Sequence, residues 1–338
     1  MTGLQTSKKT CDFLSIAKSD SLSNAINTTT SEIRFACFSQ IYGIDVAMTA
    51  DDFSIAGIHI KPKNDEPDPR LEKALNIIFS TPVPTAGRSV FTWYGDFCEE
   101  FANTMRARFL SEHAKVASHP PDKPWNFHEL ISIPSSTLEL LHRVRFTSSV
   151  ENILNPASES QSPSPSEALS GINRLRTRNY LEALELSQLV RSEQPNLIRR
   201  RLNVMITVIS GEKSTLDEIA RGLLTSLAQS RIFFECLLRA YVISEDGVVM
   251  RCGEAEAPHL FMSSPDFLFL LVQTPITWAA QYGFMKALQS NGIAISAGPA
   301  GTGKTETQKD FANLIGRQAN LIHCSDSLSV KGESWVRS

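Results

Sequence analysis

Cysteine is sparse and dispersed in this chain: six residues stand at 11, 37, 98, 236, 252 and 324, with no CxxC pair and no Cys/His cluster. That spacing suits neither a zinc site nor a disulfide framework, so reduced thiols in a cytosolic protein are the expectation. Charge of one sign is lacking as well. With 33 basic against 36 acidic residues the formal net charge is −3, which supplies no overall field toward nucleic acid or an anionic membrane, and neither is expected as a partner. No stretch approaches the roughly 18 apolar residues of a membrane span, and the N-terminal MTGLQTSKKTCDFLSIAKSDS has no apolar run of signal-peptide length. The seven histidines are scattered; His128 and His259 read as surface or core residues rather than ligands.

What the chain does have is enough apolar content, 42% of 338 residues, to bury two or three cores. Residues 1–154 form an N-terminal region of unassigned function. Within it FSIAGIHIKP alternates as a strand does, and KNDEPDP after it reads as a turn-rich loop. Phe97, Phe101, Met105 and Leu110 recur at helical intervals and predict a helix over 95–115, ended by SHPPDKPW, because proline removes a donor and restricts its predecessor. Asp96, Glu99 and Glu100 read as the solvated acidic first turn of that helix.

Residues 155–170, NPASESQSPSPSEALS, carry almost no large apolar side chain and form a Ser/Pro-rich linker. A largely helical region follows over 171–258. Ile172, Leu175, Leu181, Leu184, Leu186 and Leu189 outline an apolar stripe. Arg199, Arg200 and Arg201 are too short a run for a nucleic-acid tract and read as the solvated entry to a buried apolar segment, with a phosphate-binding patch as the weaker reading. Thr215 and Glu218 have capping-box spacing and predict a helix start near 216. Asp246-Gly247 between apolar runs predicts a hairpin.

The most specific stretch is AISAGPAGTGKTETQKDF, where Gly298 to Thr305 fill the pattern GxxxxGK[ST]. GIAISA before it reads as a short apolar strand, and Thr305, Phe311, Leu314 and Ile315 after it stand at helical spacing. Strand, glycine loop and helix are what phosphate binding needs. Glycines 298, 301 and 303 let successive N–H groups point inward, and the helix N-terminus adds its positive end. Gly298, Pro299, Ala300, Gly301, Thr302, Gly303, Lys304, Thr305 and Glu306 are therefore the candidate nucleotide-binding residues, with Lys304 reaching the β and γ phosphates of ATP and the Thr305 hydroxyl ligating Mg²⁺. ANLIHCS, 319–325, reads as a second apolar strand with Asp326 at its end, and a parallel pairing of 292–297 with 319–325 is expected.

GPAGTGKTET resembles the start of the first AAA+ ATPase module of dynein heavy chains. FLLVQTPIT ending at Thr277 and KAL at 286–288 stand at the family's distances before the loop, and HCSD at 323–326 resembles its second strand ending. LSQLVRSEQPNLIRRRLNVMITVISGEKSTLDEIARGLLTS, from Leu186, is similar to the end of the dynein linker. The fold implied is mixed: a largely helical, linker-like region to 258, then the incomplete α/β start of a P-loop AAA+ module over 259–338. The resemblance implies a microtubule-based motor with ATP or ADP as ligand and with dynein accessory chains and microtubules as partners of the parent motor. It implies a cytoplasmic, cytoskeletal place, or an axonemal one.

Two departures stand out. Trp278 and Ala279 replace the family's Asp-Arg pair, and SLSVKGESWVRS replaces its Asp-Tyr element. After Lys304 no apolar strand ends in an acidic pair that would hold Mg²⁺ and orient water for hydrolysis. The expectation is the first half of a nucleotide site, with a truncated, non-hydrolysing nucleotide-binding or interaction protein as the alternative.

Overall fold

The computed structural model describes residues 41–319 apart from 50–51, 61–67, 86, 89, 122, 157–162, 244–246, 264, 266–269 and 318. Residues 63–67 of the expected loop KNDEPDP and most of the expected strand 319–325, with Asp326, lie outside the described residues; Asp68 caps a single 3-10 turn, Pro69–Leu71. The described chain is mostly helical with two small antiparallel sheets.

The first sheet holds β1 (Ile41–Thr49), β2 (Asp52–Ile60) and β3 (Asn76–Pro84) in chain order. The alternating run FSIAGIHI is β2, as its pattern predicts. A register shift between Ile55 and Gly57 puts Ile55 and Ile58 on one buried face although they are three residues apart. Helix α1 (Val90–Ala117) covers that face, and its core stripe runs Trp93, Phe97, Phe101, Met105 and Phe109. Phe109, not Leu110, is the fully buried residue that continues the stripe. The helix begins five residues before the expected start, so Asp96, Glu99 and Glu100 are not its first turn. Asp96 instead pairs with Arg88, and the Glu100 carboxylate accepts the Thr81 N–H at 2.9 Å, tying the helix to β3.

After a single helical turn at Phe127–Leu130, four longer helices follow: α2 (Ser135–Leu154), α3 (Pro165–Arg191), α4 (Asn196–Leu223) and α5 (Leu227–Glu235). Helix α3 starts inside the expected linker. Ser164 caps it, Glu167 closes a full capping box, and Pro165 takes the first turn, where its missing N–H costs nothing. The expected helix start near 216 is absent, because α4 runs through Thr215 without a break. Ile198, Leu202, Met205, Ile209, Leu216, Ile219 and Leu223 keep one face buried across that point, so packing overrides the capping signal. Arg201 is also not solvated: it is buried and donates to the carbonyls of Ile131 and Ile133.

The second sheet is a meander of β4 (Arg239–Ile243), β5 (Gly247–Cys252) and β6 (Ala255–Pro258), and the expected hairpin is its first turn. Ala240 of β4 accepts support from α2, its N–H donating to Thr147 Oγ1 at 3.3 Å. Two helices complete the described chain, α6 (Pro275–Gln289) and α7 (Lys304–Leu314). The expected strand over 292–297 is not formed. Ile293 and Ile295 are 90% and 87% exposed and no ladder reaches them among the described residues. An apolar strand of a parallel sheet needs partners on both edges and cover on both faces.

Candidate functional site

The glycine loop, 298–303, connects the segment 292–297, which has no regular secondary structure, to α7. Gly303 is the N-cap residue, with φ 76° in the left-handed region, and Gly301 shares that φ. A side chain at either position would be strained, which is why the turn needs glycine there. No side chain caps α7. Its first helical bond is Thr307 N–H to the Gly303 carbonyl at 2.9 Å, so the N–H groups of Lys304, Thr305 and Glu306 have no acceptor within the helix. These donors and the positive helix end make a place for an anion.

Lys304 folds back over the loop. Its ammonium donates to the Gly298 carbonyl at 2.9 Å, to the Pro299 carbonyl, and to Thr302 Oγ1 at 3.2 Å, while the Thr302 hydroxyl donates to the Pro299 carbonyl at 2.9 Å. Three neutral acceptors thus hold the one cation that the chemistry would aim at phosphate. Thr305 is exposed at the mouth of the loop, Ala300 and Pro299 line its tip, and Glu306 pairs with Lys309 at 2.8 Å on the solvent side of α7. Gln308 of α7 donates to Ser296 Oγ at 3.1 Å, fastening the helix to the segment that leads into the loop. Among the described residues no group of three or more His, Cys, Asp or Glu residues is arranged to hold a metal ion, and no helix is long and apolar enough to cross a membrane.

Sequence reasoning missed two groups. The first is Asp310, in the second turn of α7. It is buried and accepts the Leu271 N–H at 3.1 Å. Burial raises its carboxyl to about 6, against the lowering effect of the Leu271 bond and of nearby Arg143. The second is a charge cluster among α2, α3 and α4. His142 Nδ1 lies 2.7 Å from Glu212 Oε1, and its Nε2 faces Glu182 Oε2 across 3.4 Å. Glu182 also accepts from Arg145 at 2.8 Å and from the Trp125 N–H at 3.0 Å. Burial alone would push the His142 imidazole down, but the Glu212 and Glu182 carboxylates hold it up to about 9. Burial likewise works to raise Glu182, and contact with His142, Arg145 and Arg178 brings it to about 2. The signal for this cluster is polar residues falling on a core stripe: Asn179 and Glu182 continue the series Ala168, Ile172, Leu175.

Between α2, α4, the second sheet and the segment before α6 lies a cavity of about 70 Å³, lined by Arg143, Arg239, Gln273, Trp278, Gln281 and Leu314 among others. Trp278, one of the two departures, fills space here and meets Phe233 edge-on at 5.4 Å. His259 is half-buried beside Phe261, whose N–H its Nδ1 accepts at 3.3 Å, and it is a packing residue as its isolation in the sequence suggests.

Residues 268–334 match the family described as the hydrolytic ATP binding site of dynein motor region. The chain is similar to cytoplasmic dynein 2 heavy chain 1 of Caenorhabditis elegans, 24% identical over 243 residues, which are 71% of this chain and 5% of that protein. It is 31% identical to human dynein axonemal heavy chain 6 over 176 residues, 49% of this chain and 4% of the relative. To the cytoplasmic dynein heavy chain of Drosophila melanogaster it is 29% identical over 194 residues, 56% and 4% respectively. The chain spans about one twentieth of the length of these curated relatives.

Proposed function

We propose, for a chain that is a relative of dynein heavy chains, that residues 298–306 bind the phosphates of ATP as part of a motor ATPase module. The observation that carries this reading is the loop itself: an uncapped α7 N-terminus behind a left-handed Gly303, with Lys304 tethered to loop carbonyls. In the bound state the Lys304 ammonium leaves its neutral acceptors for charged phosphate oxygens, an exchange that favours binding because charge-assisted bonds are the stronger ones. The N–H groups at Gly301 to Glu306 supply the cradle, and the Thr305 hydroxyl is the group that would hold Mg²⁺, which neutralises phosphate charge when bound. The nucleotide site, ATP-driven movement of a linker region, microtubule partners, accessory chains and a cytoskeletal or axonemal place all belong to this proposal.

Titration of the full chain with a fluorescent ADP or ATP analogue tests it. Lys304→Ala should weaken binding at least tenfold, a loss of about 1.4 kcal/mol or more, with unchanged thermal unfolding because the side chain touches only the exposed loop. Equal affinity for wild type and variant, or no saturable binding to wild type, would overturn the assignment.

A further inference from the structure

Helix α7 carries the loop at one end, and several of its other contacts reach the stretch of chain before α6. Midway, Asp310 takes the Leu271 N–H at 3.1 Å. At the far end the Leu260 N–H reaches the Ile315 carbonyl at 3.3 Å, and the Met262 N–H reaches the Gly316 carbonyl at 2.7 Å. The segment that supplies these donors is fastened in turn. Pro265 offers its carbonyl to both the backbone N–H and the hydroxyl of Ser136, at 3.1 and 2.7 Å, in the first turn of α2. Gln273 lies so close on α4 that a β-carbon at Gly211 would stand 3.1 Å from its Cγ. Phe311, Leu314 and Ile315 are buried as well, with Phe311 against Phe284 of α6 at 5.4 Å.

We propose that two described stretches before α6, 260–263 with Pro265 and 270–273, act as a splint that locks the loop-bearing helix α7 to α2 and α4, with Asp310 as its positioning residue. This deepens the nucleotide reading and rests on it for its purpose, since the splint gives loop occupancy a rigid route into the helical body. A carboxylate is retained at a buried position where an apolar residue would pack without desolvation, and the Leu271 N–H would otherwise have no acceptor among the described residues. Asp310 touches no part of the loop, so its role is orientation rather than ligand contact.

Amide hydrogen exchange on the full chain reads the splint directly. Without nucleotide, Asp310→Ala should speed exchange at Leu271 and along α7 at least tenfold while α3 and α4 keep their rates. Asp310→Asn, which retains an acceptor oxygen, should restore wild-type rates, an outcome that mere loss of side-chain volume would not give. Unchanged α7 exchange in Asp310→Ala, equal loosening in Asp310→Asn, or loss of protection throughout α3 and α4 would each overturn the proposal. In a second arm ADP is added. Wild type should slow at 298–307 and also at Leu260, Met262 and Leu271, and Asp310→Ala should keep the loop effect and lose the effect at Leu271. Slowing confined to the loop in wild type would overturn the coupling, whereas no slowing anywhere would remove the nucleotide reading and leave the first arm to decide on the splint.

Discussion

His142→Ala is expected to cost about 3–5 kcal/mol, the range for removing one partner from a buried ion pair. That is a large share of the roughly 5–15 kcal/mol that holds an ordinary domain together. His142 is fully buried, and its removal leaves the Glu182 and Glu212 carboxylates facing each other across a cavity with no cation between them. Arg145 compensates only in part, since it engages the other Glu182 oxygen and the Lys123 carbonyl.

The same cluster sets a pH dependence whose sign is fixed. His142 is raised to about 9 in the fold, so its stabilisation is fully present below its unfolded value near 6.5 and is lost as pH climbs through 9. Glu182 is lowered to about 2, so its contribution is present above about 4.5 and is lost as pH falls through 2. The two describe one coupled interaction and are not to be added. Urea unfolding at pH 6, 7, 8, 9 and 10 should show a midpoint falling on the alkaline side, with the fall absent in His142→Ala. A variant within 1 kcal/mol of wild type at pH 7 would sink this account.

The contrast between this cluster and the glycine loop shows what a sequence exposes. Gly301, Gly303 and Lys304 were legible because their geometry is local: the backbone angle, the helix start and the lysine contacts all arise within seven residues. Helix α1, strand β2 and the hairpin before Gly247 were legible for the same reason, each being a periodicity or a turn signal in one short window. The inward face of α3 was not. Leu181 and Leu184, assigned to its stripe, are more than 40% exposed, while Asn179 and Glu182 point inward. A hydrophobic pattern counts those two as outward because their partners, Trp125, His142 and Glu212, lie 30 or more residues away. Thr215 fails in the opposite way: its local capping signal is genuine, but the apolar face of α4 continues past it and burial outweighs a cap. The segment 292–297 has the composition of a buried strand, yet composition does not supply the neighbouring strands that make it one.

Gly316→Ala should destabilise the protein by about 2–4 kcal/mol, summing about 1 kcal/mol of backbone strain with an overpacking term of about 1–3 kcal/mol. Gly316 has φ 68°, a left-handed angle that alanine adopts only under strain. Space is short as well: a β-carbon there would stand 2.5 Å from His259 Cε1 and 2.7 Å from both ring nitrogens. The ring has little freedom to withdraw, since it is held edge-on to Phe261 at 4.4 Å and bonded to the Phe261 N–H. Strain and collision separate in a double-mutant cycle with His259→Ala. Removing the ring abolishes the collision and leaves the strain, so the second substitution should cost about 1 kcal/mol in the His259→Ala background, and the coupling should exceed about 1 kcal/mol. Additivity within about 0.5 kcal/mol would show that the ring moves aside freely. The position matters for the loop because the Gly316 carbonyl takes the Met262 N–H just beyond the end of α7. A side chain that pushes His259 away there loosens the far anchor of the helix whose near end carries Lys304, so nucleotide affinity should fall in Gly316→Ala and recover when His259 is also alanine.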